Sequence, residues 1–212
     1  MSNEAAERRL ATVLAEVRAC RLCVEAPRGA PLPHPPRPVV RGYASATLAI
    51  CGQAPGTRVH ASGVPFSDPS GVRLRAWMGV TDEMFYDERR IAIVPMGFCF
   101  PGLGPTGGDL PPRRECAPRW RAEIFSALPR LSLILLIGRY AQDWHAPAFR
   151  GFPLDAVVRE SCTAAPGVAQ PRLMALPHPS WRNNSWLKRN PWFDSEVVPA
   201  LQAAVRACLA AG

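Results

Sequence analysis

The 212-residue chain reads as an α/β protein, a three-layer α/β/α sandwich around a central four-stranded, mainly parallel sheet, with residues 1–212 forming a single domain. Three observations predict this fold. Four short apolar runs are near-continuous rather than alternating, as strands covered on both faces must be. Segments with helical spacing separate the runs, and strands that alternate with helices build a layered α/β fold. At 48% hydrophobic content the chain carries enough apolar side chain for a sizeable core, and it contains no internal repeat.

The first element is a helix over residues 5–20, because Leu10, Val13, Leu14, Val17 and Cys20 fall at steps of three and four on one stripe. Residues 26–41 follow with six prolines, and a backbone without those N–H donors forms neither a helix nor a central strand. This stretch is expected to be an extended crossing or a surface loop rather than a linker, since the 25 residues before it are too few for a domain. Strands are expected at 47–51, 91–94, 131–137 and 172–176, and further helices at 70–79, 118–128, 139–145 and 195–211. The last helix places Val198, Leu201, Val205 and Leu209 at helical spacing.

Composition excludes several classes. No run approaches the roughly 20 apolar residues of a membrane span. The N-terminus carries acids and lacks a compact apolar stretch with a small-residue cleavage site, so a secretory signal is not expected and a cytoplasmic, reducing location is. Seven cysteines in that setting read as metal ligands, core residues or reactive thiols rather than a disulfide framework. The formal charge of +8 suits a polyanion such as nucleic acid, or a solvated Arg-rich surface.

In such sheets the ligand lies beyond the carboxyl ends of the strands. After the first strand comes Gly52-Gln53-Ala54-Pro55-Gly56, and then Gly63-Val64-Pro65-Phe66-Ser67-Asp68-Pro69-Ser70-Gly71 leading into a helix. The glycines allow close backbone approach to a ligand, but the pattern is neither GxGxxG nor a P-loop, which disfavours a dinucleotide or a nucleoside triphosphate. After the fourth strand comes His178 between two prolines, followed by Ser180 and by a segment (181–190) with three basic residues, three Asn and two Trp. Basic groups interleaved with flat aromatics suit a polynucleotide. Cys20-x2-Cys23 ends the first helix, while Cys99 and Cys116, with 16 residues between them, follow the second strand. Four thiolates make either an iron-sulfur or a zinc site, and spacing does not separate the two. Cys51, Cys162 and Cys208 lie in apolar runs and read as packing residues.

The GQAPG…GVPF…SG segment after the first strand and HPS after the last resemble motifs A and B of the uracil-DNA glycosylase superfamily. The iron-sulfur branch of that family carries GEAPG…GxPFxGxxG, and the four cysteines match its cluster ligands in placement. The resemblance runs from about Cys20 to Ser180. It implies a monofunctional glycosylase that hydrolyses the N-glycosidic bond of uracil in single- or double-stranded DNA, leaving an abasic site, with no membrane partner and as a monomer. It also implies a structural [4Fe-4S] cluster on Cys20, Cys23, Cys99 and Cys116, with zinc as the alternative and no metal needed for the chemistry. Phe66 would stack on the flipped base, Gly52, Gln53 and Ala54 would line the pocket, and His178 would donate to uracil O2. Trp181, Trp186 or Leu187 would wedge into the duplex. Arg182, Lys188 and Arg189 would meet phosphates, and Ser70 and Gly71 would bind the phosphate beside the lesion.

Three departures follow from the same comparison of residues. Gln53-Ala54 supplies no carboxylate where the branch has Glu, which leaves Asp68, Asp109 or His60 to orient water. Val94-Pro95-Met96-Gly97-Phe98 stands where the family reads uracil with Asn, so base reading falls to backbone near Met96. The segment before the fourth cysteine is Gly107-Gly108-Asp109-Leu110-Pro111-Pro112-Arg113-Arg114, without the family's base-reading side chains. Two rivals remain at this stage: a non-catalytic metal-cluster protein that binds damaged or single-stranded DNA, and a hydrolase for free nucleosides.

Overall fold

The structure is a computed structural model that describes residues 3–163 and 171–211. Its centre is one four-stranded sheet in the order β2-β1-β3-β4, formed by β1 (Leu48–Cys51), β2 (Ile91–Ile93), β3 (Leu133–Ile137) and β4 (Arg172–Leu176). Every pairing is parallel, with Leu48 opposite both Ile91 and Leu133, and Leu133 opposite Arg172. The expected strands are therefore present, and the sheet is wholly rather than mainly parallel.

Ten helices surround it among the described residues: α1 (Asn3–Arg18), α2 (Leu22–Glu25), α3 (Thr57–Ser62), α4 (Pro69–Met78), α5 (Asp82–Tyr86), α6 (Cys116–Ser126), α7 (Arg139–His145), α8 (Leu154–Thr163), α9 (Asn184–Arg189) and α10 (Val198–Ala210). Alternation along the strands divides the core into two layers. Ala49 and Cys51 of β1, with Ala92, Ile134 and Leu136, face a cluster built by Leu10, Val13, Leu14 and Val17 of α1 and by Trp120 and Ile124 of α6. Leu48 and Ile50, with Ile91, Ile93, Leu133 and Leu135, face Leu74 and Trp77 of α4, Val158 of α8 and Leu201, Val205 and Leu209 of α10. The expected helical stripes of α1 and α10 are the buried ones.

The proline-rich stretch is extended. Near its end, Arg41 makes an isolated antiparallel bridge to Ile93, and the Val39 N–H donates to the Phe98 carbonyl at 2.7 Å. It therefore covers the outer edge of β2, where it satisfies backbone groups that an open edge would expose. No helix among the described residues is long and apolar enough to cross a membrane.

Candidate active site

One cavity opens at the carboxyl ends of the strands, lined by Gly52, Gln53, Ala54, Pro55 and Gly56 after β1, Pro65, Phe66, Asp68 and Ser70 before and at the start of α4, Pro95 after β2, Asp109, and His178 after β4. It widens into a groove shared by Gln53, Ala54, Asp68, Asp109 and His178 with Arg73, Tyr140, Ser180, Trp181, Arg182 and Asn183. Motifs distant in sequence thus meet at one place, as the topology of a parallel sheet requires.

Phe66 is held as a wall. It is the one non-glycine residue with positive φ (+54°) among those described, a conformation that costs about 1–3 kcal/mol and persists only where its surroundings impose it. The imposition is visible: the Phe66 carbonyl accepts from Arg75 Nη1 (3.2 Å) and Tyr86 Oη (3.2 Å), and its ring meets Phe85 edge-on at 5.9 Å. A Cβ on Gly52 would stand 3.3 Å from the Phe66 ring, and one on Gly71 would stand 1.8 Å from the Phe66 carbonyl oxygen. Both glycines are there to let the ring sit where it does.

His178 presents one defined nitrogen. The Ser180 N–H donates to His178 Nδ1 at 3.2 Å, so Nδ1 is the acceptor and the proton of the neutral ring resides on Nε2. Burial pushes the His178 pKa down, and Arg182 adds to this against the opposing pull of Asp68 and Asp109. The ring is therefore a neutral N–H donor at neutral pH. Asn183 Nδ2 donates to the His178 carbonyl at 2.6 Å, which holds the His178 backbone in place.

Two carboxylates face the cavity, Asp68 and Asp109. Asp68 caps α4: its Oδ1 accepts from the Gly71 N–H (3.1 Å) and from Ser70 Oγ (2.6 Å). This corrects the expectation that Ser70 and Gly71 bind a DNA phosphate. The Ser70 hydroxyl and the Gly71 N–H are already taken by a carboxylate, whose negative charge would repel a phosphate. Asp109 sits on a small hairpin bridged between Leu103 and Asp109, with Leu110 donating to Gly102 and accepting from Gln53 Nε2. His60 is elsewhere, half-buried on α3 with its ring 4.3 Å from His34 and 5.6 Å from Phe100, and it does not line the cavity.

Met96 is also displaced from its expected role. Its side chain is buried in the α1–α6 layer, and the Met96 and Gly97 N–H groups donate to the carbonyls of Gly52 (2.8 Å) and Gln53 (2.9 Å). These amides brace the motif A loop from behind and leave no donor for a base.

The segment after His178 divides by burial. Trp181 is 73% exposed at the groove and Arg182, Lys188 and Arg189 are exposed, whereas Trp186 packs edge-on against Trp192 (5.7 Å) and Phe193 (5.8 Å). Leu187 packs on the same core layer. Trp181 is thus free to act as a wedge, and Trp186 and Leu187 are not, because α9 turns them inward. Arg73, not singled out from sequence, ties α4 to this segment through the Ser180 carbonyl (3.3 Å) and Asn184 Oδ1 (2.8 Å). No local pattern marks Arg73; only the packing of α4 against the loop does.

Cys20, Cys23, Cys99 and Cys116 line one small apolar cavity with Val17, Pro36, Pro38, Phe98, Arg113 and Trp120. Burial, with the nearby thiols adding to it, pushes Cys23 and Cys116 up to about 12 and Cys99 up to about 11. Among the described residues, no group of three or more His, Cys, Asp or Glu side chains stands ready to hold a metal ion. Cys51 and Cys208 are buried and Cys162 is half-buried, each in a core layer, as packing residues should be.

Residues 40–202 match the model of the family described as the uracil DNA glycosylase superfamily.

Proposed function

Since the chain belongs to the uracil DNA glycosylase superfamily, we propose that it excises a deaminated base, uracil foremost, from DNA, by hydrolysing the N-glycosidic bond of a nucleotide flipped out of the stack. The observation that carries this reading is the pairing of Phe66 with the Nε2–H of neutral His178 across one cavity. A flat base stacks on the phenyl ring while the imidazole N–H meets a base carbonyl. That hydrogen bond strengthens as the C1′–N bond breaks and charge builds on the leaving base, which is the condition for catalysis rather than mere binding. A neutral donor serves here because it needs no proton transfer to stabilise the anion.

Asp68 and Asp109, on the same cavity, supply the carboxylate that Gln53-Ala54 lacks, and either holds the water that attacks C1′. Their place on the cavity supports hydrolysis over a non-catalytic binding role. Trp181 fills the space left by the flipped base, with Arg182, Lys188 and Arg189 on phosphates. Base extrusion costs a few kcal/mol, least in single-stranded or mispaired DNA.

That the four thiols line one apolar cavity supports a [4Fe-4S] cluster held by Cys20, Cys23, Cys99 and Cys116. Its contribution there is structural: it would pin the end of α1 and the proline-rich crossing to the segment after β2. Purified protein should absorb broadly near 400 nm and contain iron and sulfide; bound zinc without that band selects the alternative. For function, a uracil-containing oligonucleotide should lose free uracil without added metal. His178→Ala should lose on the order of 10²-fold or more in rate with its folding intact. No release at enzyme excess from either strand form overturns the reading.

A further inference from the structure

Behind the cavity, on the α6 side of the sheet, Arg121 is 2% exposed. Its Nη1 donates to the carbonyls of Val94 (3.1 Å) and Pro95 (2.9 Å), where β2 runs out, and its Nη2 to Cys51 Sγ (3.1 Å) at the end of β1. Nη2 also meets His145 Nε2, the guanidinium lies 4.9 Å from the centre of the Phe125 ring, and Nε has no partner. Each of these partners is neutral. Burial holds the Cys51 thiol above its ordinary pKa, and burial together with Arg121 holds the His145 ring down at about 3. Among the described residues, no Asp or Glu forms an ion pair with Arg121, although arginines 8, 21, 41, 75, 90, 113, 119, 139 and 159 all have one.

A guanidinium does not deprotonate in a protein, so this is a permanent buried charge satisfied by dipoles alone. Such a charge is costly to bury, and an apolar side chain of similar volume often serves a fold as well or better. Its position gives the cost a purpose. Pro95 and Gly52, the latter adjoining Cys51, line the base cavity, so the charge stands one residue layer behind the floor on which a base would leave.

We infer that Arg121 is a positioning residue of the glycosylase reaction whose uncompensated charge favours the departing base anion, while its forked hydrogen bonds fix the ends of β1 and β2 that shape the cavity. The inference rests on the function proposed above. In that reaction the electron pair of the C1′–N bond passes to the base, which departs as an anion, and water adds to C1′ and passes its proton to the carboxylate that holds it, Asp68 or Asp109. The charge of Arg121 is in place beforehand and needs no reorganisation as the negative charge develops.

The test is leaving-group sensitivity. Single-turnover release of uracil and of 5-fluorouracil, the better anion, is measured from otherwise identical oligonucleotides with wild type, R121M, R121K and C51D, each checked by thermal melting. R121M should slow uracil release about tenfold and 5-fluorouracil release about threefold or less, whereas R121K should keep the wild-type ratio between the two bases. C51D sets a carboxylate beside the guanidinium and should reproduce the R121M ratio; it decides the matter if R121M does not fold. Equal slowing of both bases in the folded charge-cancelling variant is what a purely structural role gives, and it overturns the inference. If wild type releases neither base, the glycosylase reading itself falls instead.

Discussion

Replacing Gly71 by Ala tests whether the cavity depends on the imposed geometry of Phe66. The added Cβ would stand 1.8 Å from the Phe66 carbonyl oxygen, 2.6 Å from its carbon and 2.8 Å from the Phe66 Cβ, against ordinary contact that begins at 3.4 Å. The Phe66 carbonyl must therefore retreat by about 1.6 Å, or α4 must shift by a similar amount. Neither yields easily: the carbonyl is held by Arg75 and Tyr86, and α4 is anchored by Leu74, Trp77 and Met78 in the core. Loss of those two hydrogen bonds at about 1 kcal/mol each, with overpacking of about 1–3 kcal/mol, predicts destabilisation of about 3–5 kcal/mol. If the protein still folds, a displacement above 1 Å at the stacking ring predicts a loss of about 10²-fold in single-turnover base release. Chemical denaturation and a uracil-release assay at enzyme excess read the two effects. Val72→Ala, at the neighbouring position that is 62% exposed, should stay within about 0.5 kcal/mol of wild type. A Gly71→Ala protein within that margin and within threefold of the wild-type rate would refute the account of Phe66.

Acid should weaken the fold through His145. With its ring held at about 3 in the folded state and 6.5 as its ordinary value, the unfolded chain binds one more proton between these pH values, so stability rises with pH across that window and is lost as pH falls below 6.5. His145 alone predicts about 1.4 kcal/mol per pH unit there, and His145→Gln should flatten the curve by that slope; an unchanged slope would contradict the assignment. Trp181→Ala should weaken binding to uracil-containing DNA by about 1–3 kcal/mol, the scale of one base–aromatic contact, with its melting temperature unchanged. Trp186→Ala should instead lose about 3–5 kcal/mol of stability, as a large truncation in a packed layer does. The reverse pattern in these two variants would place the wedge on α9.

The sheet was legible because its signal is local and redundant. A run such as Leu133–Ile137 cannot be solvated on either face, so its length and continuity announce a central strand. The helices that went unseen are short or mixed: α3 is a six-residue turn closed by Gly63 at φ +73°, and α8 spends one core-facing position on Ser161, whose hydroxyl accepts from the Ala175 N–H. The motifs located the cavity, since Gly52, Phe66 and His178 each follow a strand or lead into a helix. The roles of individual side chains were less legible. Trp181 and Trp186 look alike in sequence, and only Trp192 and Phe193, further along the chain, decide which of them is buried. Arg121 carried no signal, because arginine is ordinarily a surface residue and its partners at Val94, Pro95 and Cys51 are 27, 26 and 70 positions away.

The cap on α4 has a consequence for how DNA is gripped. A helix N-terminus beside a base pocket is the natural seat for the phosphate flanking a lesion. Here Asp68 occupies it, with its Oδ1 on the Gly71 N–H and Ser70 Oγ. A carboxylate in that seat repels a phosphate, so under the proposed function the DNA backbone would lie across the groove, where Arg182, Lys188 and Arg189 are exposed and no acid lies between residues 181 and 190. Arg73 links the two sides: it projects from α4 and binds the Ser180 carbonyl and Asn184, joining the helix that carries Asp68 to the segment that carries the cations. The same arrangement leaves a fixed carboxylate facing the cavity near His178, where a phosphate-binding helix end would have left none. The exchange of an anion seat for an anion therefore bears on two features at once, the carboxylate absent from Gln53-Ala54 and the concentration of positive charge after the last strand.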